Sequence, residues 1–411
     1  MGVDLFPLCS LGALTKNYDS MRVPVKKSDR NPGPYPYYGA SGIVDYVDSY
    51  IFDGEYLLLA EDGENLRSQN LPISFMATGR FWVNNHAHIL KGKNGNSTRF
   101  LCYALKTADI RSYLSGSTRP KLTQKDMKRI PVSCPNPNEQ RAIAHILGTL
   151  DDKIELNRRM NATLEGIARA IFKSWFVDFD PVHAKAEGRD TGLPAHIADL
   201  FPSRFVDSEL GPIPEGWEVG TIKDEFRVTM GQSPPGSTYN EEGMGLPFHQ
   251  GRTDFGFRFP SRRRYCSEPN RIAEEGDTLV SVRAPVGDTN IANERICIGR
   301  GVAAVRHRSG AKSYTYYSMK SLKDVFDRFE AEGTVFGSIG KRDFNALSHS
   351  IPSKKLIAKF EKSVCALDTR IHCNEEGICL LTAIRDSLLP KLISGEMRVP
   401  NMDLCLEEVN S

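Results

Sequence analysis

The chain states one pattern twice, 217 residues apart. Leu150-Asp151-Asp152-Lys153-Ile154-Glu155-Leu156-Asn157 returns as Leu367-Asp368-Thr369-Arg370-Ile371-His372-Cys373-Asn374, with Leu, Asp, Ile and Asn in matching places and Lys153 replaced by Arg370. The offset holds upstream, where Gly116, Lys125, Asp126 and Met127 answer to Gly333, Arg342, Asp343 and Phe344. Solenoid units repeat every ~20–50 residues, so a period this long means two domain-sized copies. A molecule built in this way suits a target that itself has two halves.

Within each copy the strongest local signal is a heptad seam. Over roughly 138–176, apolar residues alternate in steps of four and three: Ile143, Leu147, Leu150, Ile154, then Leu164, Ala168, Ile171 and Trp175. Asn157 and Asn161 fill the two missing steps. Adding the offset gives Phe360, Val364, Leu367, Ile371, Asn374, Ile378, Leu381, Arg385, Leu388 and Leu392, with Arg385 the one breach. A seam held this long predicts coiled-coil helices. Asn138 is the expected N-cap of the first helix, with Glu139 and Gln140 in its first turn. Leu389-Pro390 is the expected end of the second, because proline does not continue a helix. Two helices with one apolar stripe each are expected to pack on each other, each spanning roughly 50 Å at about 1.5 Å per residue. Asn157 and Asn374 hold equivalent seam positions and are expected to fix the register of the pair, as buried polar seam residues do at a cost in stability. The rival reading puts both side chains on the open rim.

The remaining sequence divides around these helices. Residues 1–133 read as mixed α/β, with strands at Tyr56-Leu57-Leu58-Leu59 and Phe81-Trp82-Val83 and a helix over 100–113. The first long helix is placed at 134–178 and a Pro/Gly/Asp-punctuated connector at 179–215. A connector of this length predicts that the second domain is carried away from the first. Residues 216–350 form the second α/β domain, with strands at 277–282 and 302–305. The second long helix takes 351–397, and an acidic tail takes 398–411.

Composition and missing motifs exclude several classes. No run of ~18 apolar residues exists, so no membrane span is expected. The nine cysteines are scattered and never spaced C-x-x-C, which argues against a disulfide frame or zinc site and for a reducing cytoplasm. No phosphate-binding G-x-x-x-x-G-K-[ST] loop, G-x-G-x-x-G turn or base-methylation motif occurs. His86-Ala87-His88 places two rings on one face of a strand, but no third ligand is evident, so no metal is expected. Asp151-Asp152-Lys153 has the look of a nuclease fragment yet lies inside a coiled-coil helix, where a solvated ionic face is the expectation. Such a chain reads as a binder and not as a catalyst.

The net charge of +2 conceals an uneven distribution. Residues 1–133 carry 17 Lys/Arg against 12 Asp/Glu, and residues 252–308 carry 11 against 7, including Arg262-Arg263-Arg264. The rest of the chain outside the two α/β domains is acidic. Two basic-leaning domains held apart by a helical pair suit a two-part DNA site, since paired readers contact half-sites about 34 Å apart. The different middles of the two copies predict two different half-sites.

Several stretches, in order, resemble the specificity subunit of type I restriction-modification enzymes over essentially the whole chain. They are Tyr35-Pro36-Tyr37-Tyr38-Gly39-Ala40-Ser41-Gly42 followed by Ile51-Phe52-Asp53-Gly54-Glu55-Tyr56; Phe81-Trp82-Val83-Asn84-Asn85-His86-Ala87-His88; Ser117-Thr118-Arg119-Pro120-Lys121-Leu122 with Ile130-Pro131; and Trp175-Phe176-Val177-Asp178-Phe179-Asp180-Pro181-Val182 with Pro214-Glu215-Gly216-Trp217. The resemblance implies two target-recognition domains separated by two long antiparallel coiled-coil helices. It also implies two docked modification (methyltransferase) subunits and two motor-nuclease subunits. S-adenosylmethionine, ATP and Mg2+ would then belong to those partners, with no cofactor in this chain and no catalysis by it. Competing readings are a DNA-binding regulator and a standalone DNA-modifying enzyme.

Base-reading residues follow from chemistry. Arg and Lys fork onto guanine or hold phosphates, while Asn and Gln pair with adenine. The expected DNA contacts are Asn84, Asn85, His86, Arg119, Lys121, Gln124 and Lys125 in the first domain, and Arg252, Arg263, Arg300, Lys341 and Arg342 in the second. Lys125 and Arg342 are repeat-equivalent, which favours a shared phosphate role. An ordinary solvated surface residue is the competing reading at each position.

Overall fold

A computed structural model of the chain describes residues 5–331 and 337–399; the expected match at Gly333 and the tail from residue 400 lie outside the described residues. The chain forms two compact units. One takes residues up to Leu156 together with those from Gly377 onward, and the other takes Asn157–Glu376. Each unit thus owns one α/β domain and one half of each long helix.

The first long helix is Pro137–Phe176. Its cap is Asn136 and not the expected Asn138: Asn136 Oδ1 accepts from the backbone N–H of Asn138 and Glu139 at 3.0 Å each, while Glu139 Oε2 accepts from Asn136 N at 3.3 Å. Pro137 then takes the first helical position, where its missing N–H costs nothing. The second long helix is Lys354–Ser394 and runs through Pro390. That corrects the expected stop. The reason lies beyond the proline, where Leu392 and Ile393 are buried in the first unit's core and Phe6 N donates to Ser394 O at 2.9 Å. Burying two large aliphatic side chains, at about 1.5–3 kcal/mol each, offsets a helix-interior proline costing about 3 kcal/mol.

All ten seam positions of each helix are buried or half-buried. In the first unit Arg385 Nη1 donates to Asp151 Oδ1 at 2.7 Å. In the second, Asn374 Nδ2 donates to Asn161 Oδ1 at 2.8 Å, and the rings of Phe172 and Phe360 lie 5.5 Å apart. Arg398 Nη1, just past the second helix, also donates to Glu139 Oε1 at 2.9 Å in the first unit, so in both units numbers rise along one helix as they fall along the other and the pairing is antiparallel. This corrects the expected register pair. Antiparallel neighbours count in opposite directions, so repeat-equivalence does not make two residues face each other. Asn374 meets Asn161, one turn along from Asn157. Asn161 also donates to Glu375 Oε1 at 2.7 Å. Asn157 is itself buried.

The two α/β domains share a sheet order. In the first unit the strands Thr15–Asn17, Ala87–Gly92, Tyr56–Ala60 and Ser74–Ala77 lie side by side, all antiparallel. In the second the order is Phe226–Met230, Val302–His307, Thr278–Ser281 and Thr289–Ile291, again antiparallel. A ten-residue helix packs on each sheet, Thr98–Thr107 and Lys312–Ser321. A second sheet follows in each domain. It runs Gly42–Val47, Tyr35–Gly39, Arg80–Val83, Phe52–Asp53 in the first, with one parallel pairing at its centre. It runs Tyr265–Cys266, Leu246–His249, Ile296–Ile298, Ile272–Ala273 in the second, also with one parallel pairing and with Tyr239–Asn240 added at the edge. The short helices Gln124–Met127 and Lys341–Asn345 sit at the exact repeat offset.

The helix halves belong to the domain cores. Ile143 and Leu147 pack with Leu57, Leu90 and Phe100 in the first unit, while Phe172, Trp175 and Phe360 pack with Val280, Val305 and Tyr314 in the second. The connector folds onto the second unit. It holds the helix Asp180–Ala186 and the strand pair Phe205–Val206 and Ile213–Pro214, and it buries Val182, Phe201 and Ile213 in that core. Apolar residues spaced through a polar stretch thus make it a folded part of the domain and not a free tether.

Candidate nucleic-acid interface

In the first unit most of the expected contacts converge on three carboxylates. Asn84, Asn85 and His86 occupy the turn between strands Arg80–Val83 and Ala87–Gly92. Arg119 and Lys121 lie on the loop that leads to Gln124–Met127, the short helix carrying Gln124 and Lys125. His86 Nδ1 lies 2.8 Å from Asp62, and Arg119 donates to the same carboxylate at 2.7 Å. Lys121 lies 3.4 Å from Glu61. Gln124 Nε2 donates to Asp19 Oδ2 at 2.8 Å, so its amide is engaged within the fold. Asn84 Oδ1 accepts from His86 N at 2.8 Å and shapes the turn.

Below this surface Arg22 donates to Glu61 at 2.6 Å and to Ala87 O at 2.8 Å, and lies 3.6 Å from Asp19. His88 is buried, with Nδ1 2.6 Å from Asp19 Oδ2 and Nε2 2.8 Å from Leu122 O. Burial alone would raise the Asp19 carboxyl. The bonds to His88, Asn17 and the Ile89 N–H outweigh burial and bring it down to about 2. Asp19, Glu61 and His88 bring ligand atoms within 4.8 Å of one another. The Arg22 guanidinium and the Leu122 carbonyl already engage those atoms, so the cluster is built as an ion-pair network and does not need a metal to neutralise it.

Arg119 and Lys121 are 65% and 53% exposed, each leaning on a half-buried carboxylate. An exposed pair of this kind is worth about 0–1 kcal/mol, so either cation is free to swing onto a phosphate or base edge. Asn85 and Lys125 are exposed and make no side-chain hydrogen bond or ion pair among the described residues. The Gly39–Gly42 stretch is a two-residue hairpin turn, and Gly42 is required there by its φ of +125°.

The second unit distributes its candidates differently. Arg252 pairs with Asp288, and Arg263 donates to Asp254 at 2.6 Å. Arg262 donates to Glu294 at 2.5 Å. Arg300 is exposed in the turn between strands Ile296–Ile298 and Val302–His307. Lys341 and Arg342 lie exposed on the short helix Lys341–Asn345, with no side-chain contact to the other three among the described residues. A cleft of about 880 Å³ is lined by Arg169, Lys173, Arg252, Lys320 and Lys323 over Phe172 and Tyr317. Four of those cations are paired with Asp178, Asp288, Glu165 and Asp327.

Two arrangements were not expected from the sequence. Glu225 is buried between His307 at 3.1 Å and His349 at 2.5 Å. Burial raises its carboxyl, but the two histidines hold it below the usual carboxylate range. Ser309 Oγ lies 2.6 Å from His307 Nδ1, which gives the line Ser309–His307–Glu225 the outline of a hydrolytic triad. The same Nδ1 accepts the Ser309 backbone N–H at 3.0 Å and His307 O accepts from Gly310 N at 2.9 Å, so the contact is part of the local turn that follows the strand. The other arrangement is Arg258, fully buried against both long helices. Its signal in the sequence, one arginine among the phenylalanines Phe255, Phe257 and Phe259, was available but has no periodicity to mark it.

Residues 10–166 match the model of the type I restriction modification DNA specificity domain. The chain is 26% identical over 404 residues to the type I restriction enzyme MjaIX specificity subunit of Methanocaldococcus jannaschii, across 90% of this chain and 88% of that one. It is 27% identical over 339 residues to the type I restriction enzyme HindI specificity subunit of Haemophilus influenzae, across 68% and 72%. Among solved structures, the S subunit of a type-I restriction-modification system from M. genitalium shares the fold with a TM-score of 0.63, over 96% of this chain and 97% of that one at 18% identity.

Proposed function

The chain belongs to the type I restriction-modification specificity subunits, and from that premise we propose that each of its two α/β domains reads one part of a split, asymmetric DNA site. Its role is DNA recognition, without catalysis of its own. The observation that carries the split-site reading is the repeated sheet order. The central sheets match strand for strand, whereas the second sheets differ by an added strand and by the loop of residues 250–264. Common scaffolds with different outer sheets suit two different half-sites. The antiparallel helices set the unread gap between them.

The same repeat supports two docked partners of one kind. Ile167 and Ile384 are equivalent under the offset, and both stand out from their helices at 46% and 39% exposure. An apolar spot offered twice suits two copies of a methyltransferase subunit. Those subunits would hold S-adenosylmethionine, and two motor-nuclease subunits would bring ATP and Mg2+. Methylation-aware sequencing of a genome expressing this chain with its methyltransferase partner tests the reading. The expected outcome is one two-part motif with a fixed gap; a continuous motif, or none, overturns it.

A further inference from the structure

In the second unit the loop of residues 250–264 joins strand Leu246–His249 to strand Tyr265–Cys266. The corresponding strands of the first unit, Tyr35–Gly39 and Gly42–Val47, are joined by Ala40 and Ser41 alone. In the middle of the longer loop Arg258 is 1% exposed. Its Nη1 donates to Asp368 Oδ1 at 2.9 Å, its Nη2 donates to the Tyr317 hydroxyl at 2.9 Å, and Nη2 lies 3.2 Å from Glu165 Oε2. Glu165 belongs to the first long helix and Asp368 to the second, so one guanidinium joins the loop to both. Phe259 adds an edge contact with His372 of the second helix, ring centres 4.9 Å apart. Behind the anchor, Ile291 N donates to Arg258 O at 2.8 Å and Asn290 Nδ2 to Gly256 O at 3.0 Å, which tie the loop to the central sheet. Ahead of it, within six residues, come the exposed arginines Arg262, Arg263 and Arg264.

The first unit uses the equivalent aspartate differently. Asp151 accepts from the Tyr103 hydroxyl at 2.7 Å, as Asp368 accepts from Tyr317 at 3.4 Å. Its arginine, however, is Arg385 from the facing long helix. There the guanidinium fastens helix to helix; in the second unit it fastens reader to helices. A guanidinium with so little access to water is stable only with its carboxylates in place, so the loop has one permitted seat.

We propose that Arg258 is a positioning residue that fixes the second domain's reading loop against the helix pair, and thereby sets the one gap length at which the second half-site is read. This rests on the split-site reading above. To test it, the methyltransferase complex is assembled with the wild-type chain or with Arg258→Met, Arg258→Lys or Asp368→Asn. Each is given DNA carrying the wild type's two half-sites at gaps of varied length, and methylated molecules are sequenced. The wild type is expected to favour one gap. Arg258→Met and Asp368→Asn should keep both half-site sequences but lose gap preference by about tenfold or more. Arg258→Lys, which keeps the charge without the fork, should fall between. Activity reduced equally at every gap, with the preference intact, overturns the proposal, because a merely structural role acts in that way. Hydrogen exchange over residues 250–264 of the purified chain gives a second readout, expected to be faster in Arg258→Met; unchanged protection also overturns the proposal. A wild-type complex that methylates no two-part site overturns the functional reading, and this proposal with it.

Discussion

Asp19 holds three pieces of the first unit at once: the turn it sits in, the strand Ala87–Gly92 through His88 and the Ile89 N–H, and the short helix Gln124–Met127 through Gln124. Its carboxyl is depressed in the folded chain from 3.8 to about 2, a difference worth roughly 2 kcal/mol. The sign follows from the direction. The unfolded chain binds the proton more tightly, so this stability is complete above about pH 4 and is lost as pH falls toward about 2. Asp19→Asn should therefore destabilise the chain by about 2–4 kcal/mol at neutral pH. Urea unfolding at pH 7 and pH 3 checks it: the gap between the variant and the wild type should narrow at the lower pH. A gap that stays constant would mean that the charge is not what Asp19 contributes. At this scale the fold gathers His86, Arg119, Lys121 and Gln124, in part far apart along the chain, around Asp19, Glu61 and Asp62. The sequence could not show that Gln124 is spent on Asp19, because that bond crosses 105 residues.

At the scale of elements, the helix pair is governed by its seam. The Asn161–Asn374 bond is buried, and Asn161 in turn donates to Glu375. Replacing Asn374 alone with Leu strands the Asn161 oxygen, at about 1–3 kcal/mol. Replacing both with Leu completes the apolar seam and should raise the Tm while admitting other registers and oligomers. Thermal melts together with sedimentation of the two variants separate these effects. A double variant that stays uniquely paired would show that the asparagines do not specify register. The heptad spacing made both helices legible in the sequence, to within a few residues at either end. It did not show the direction of pairing, since an antiparallel and a parallel pair use the same stripe. The wrong Asn partner follows from that limit; the misplaced stop at Pro390 has another cause, the burial of Leu392 and Ile393 in the first unit's core.

For the whole molecule, modularity is the property to test. Exchanging residues 216–350 for the equivalent domain of another specificity subunit should change one half-site and leave the other. Methylation-aware sequencing of the exchanged complex reads both, and a change in both half-sites would rule out separate reading. The exchange carries a condition set by Arg258: an incoming domain without an arginine in that seat leaves Glu165 and Asp368 facing a buried site with no guanidinium between them. The division into two compact units shows why the helices are not passive struts. Each domain core is completed by Ile143 and Leu147, or by Phe172 and Phe360, so the α/β domain and its helix halves fold as one body in each unit.

The sequence by itself determined that there are two copies, that each carries a long helix with one apolar stripe, and that the chain lacks the motifs of an ATP motor or methyltransferase. These are periodic or local properties, and period and local chemistry survive in one dimension. Only the tertiary structure decided which polar groups are available to DNA and which are spent inside the fold. Asp19, Asp151 and Asp368 each collect partners from distant segments, and no spacing rule announces such pairs. The 217-residue repeat foretold two similar halves. That one half has a loop fastened to both long helices by a buried arginine, while in the other half an arginine joins helix to helix, emerged only where the chain closed on itself.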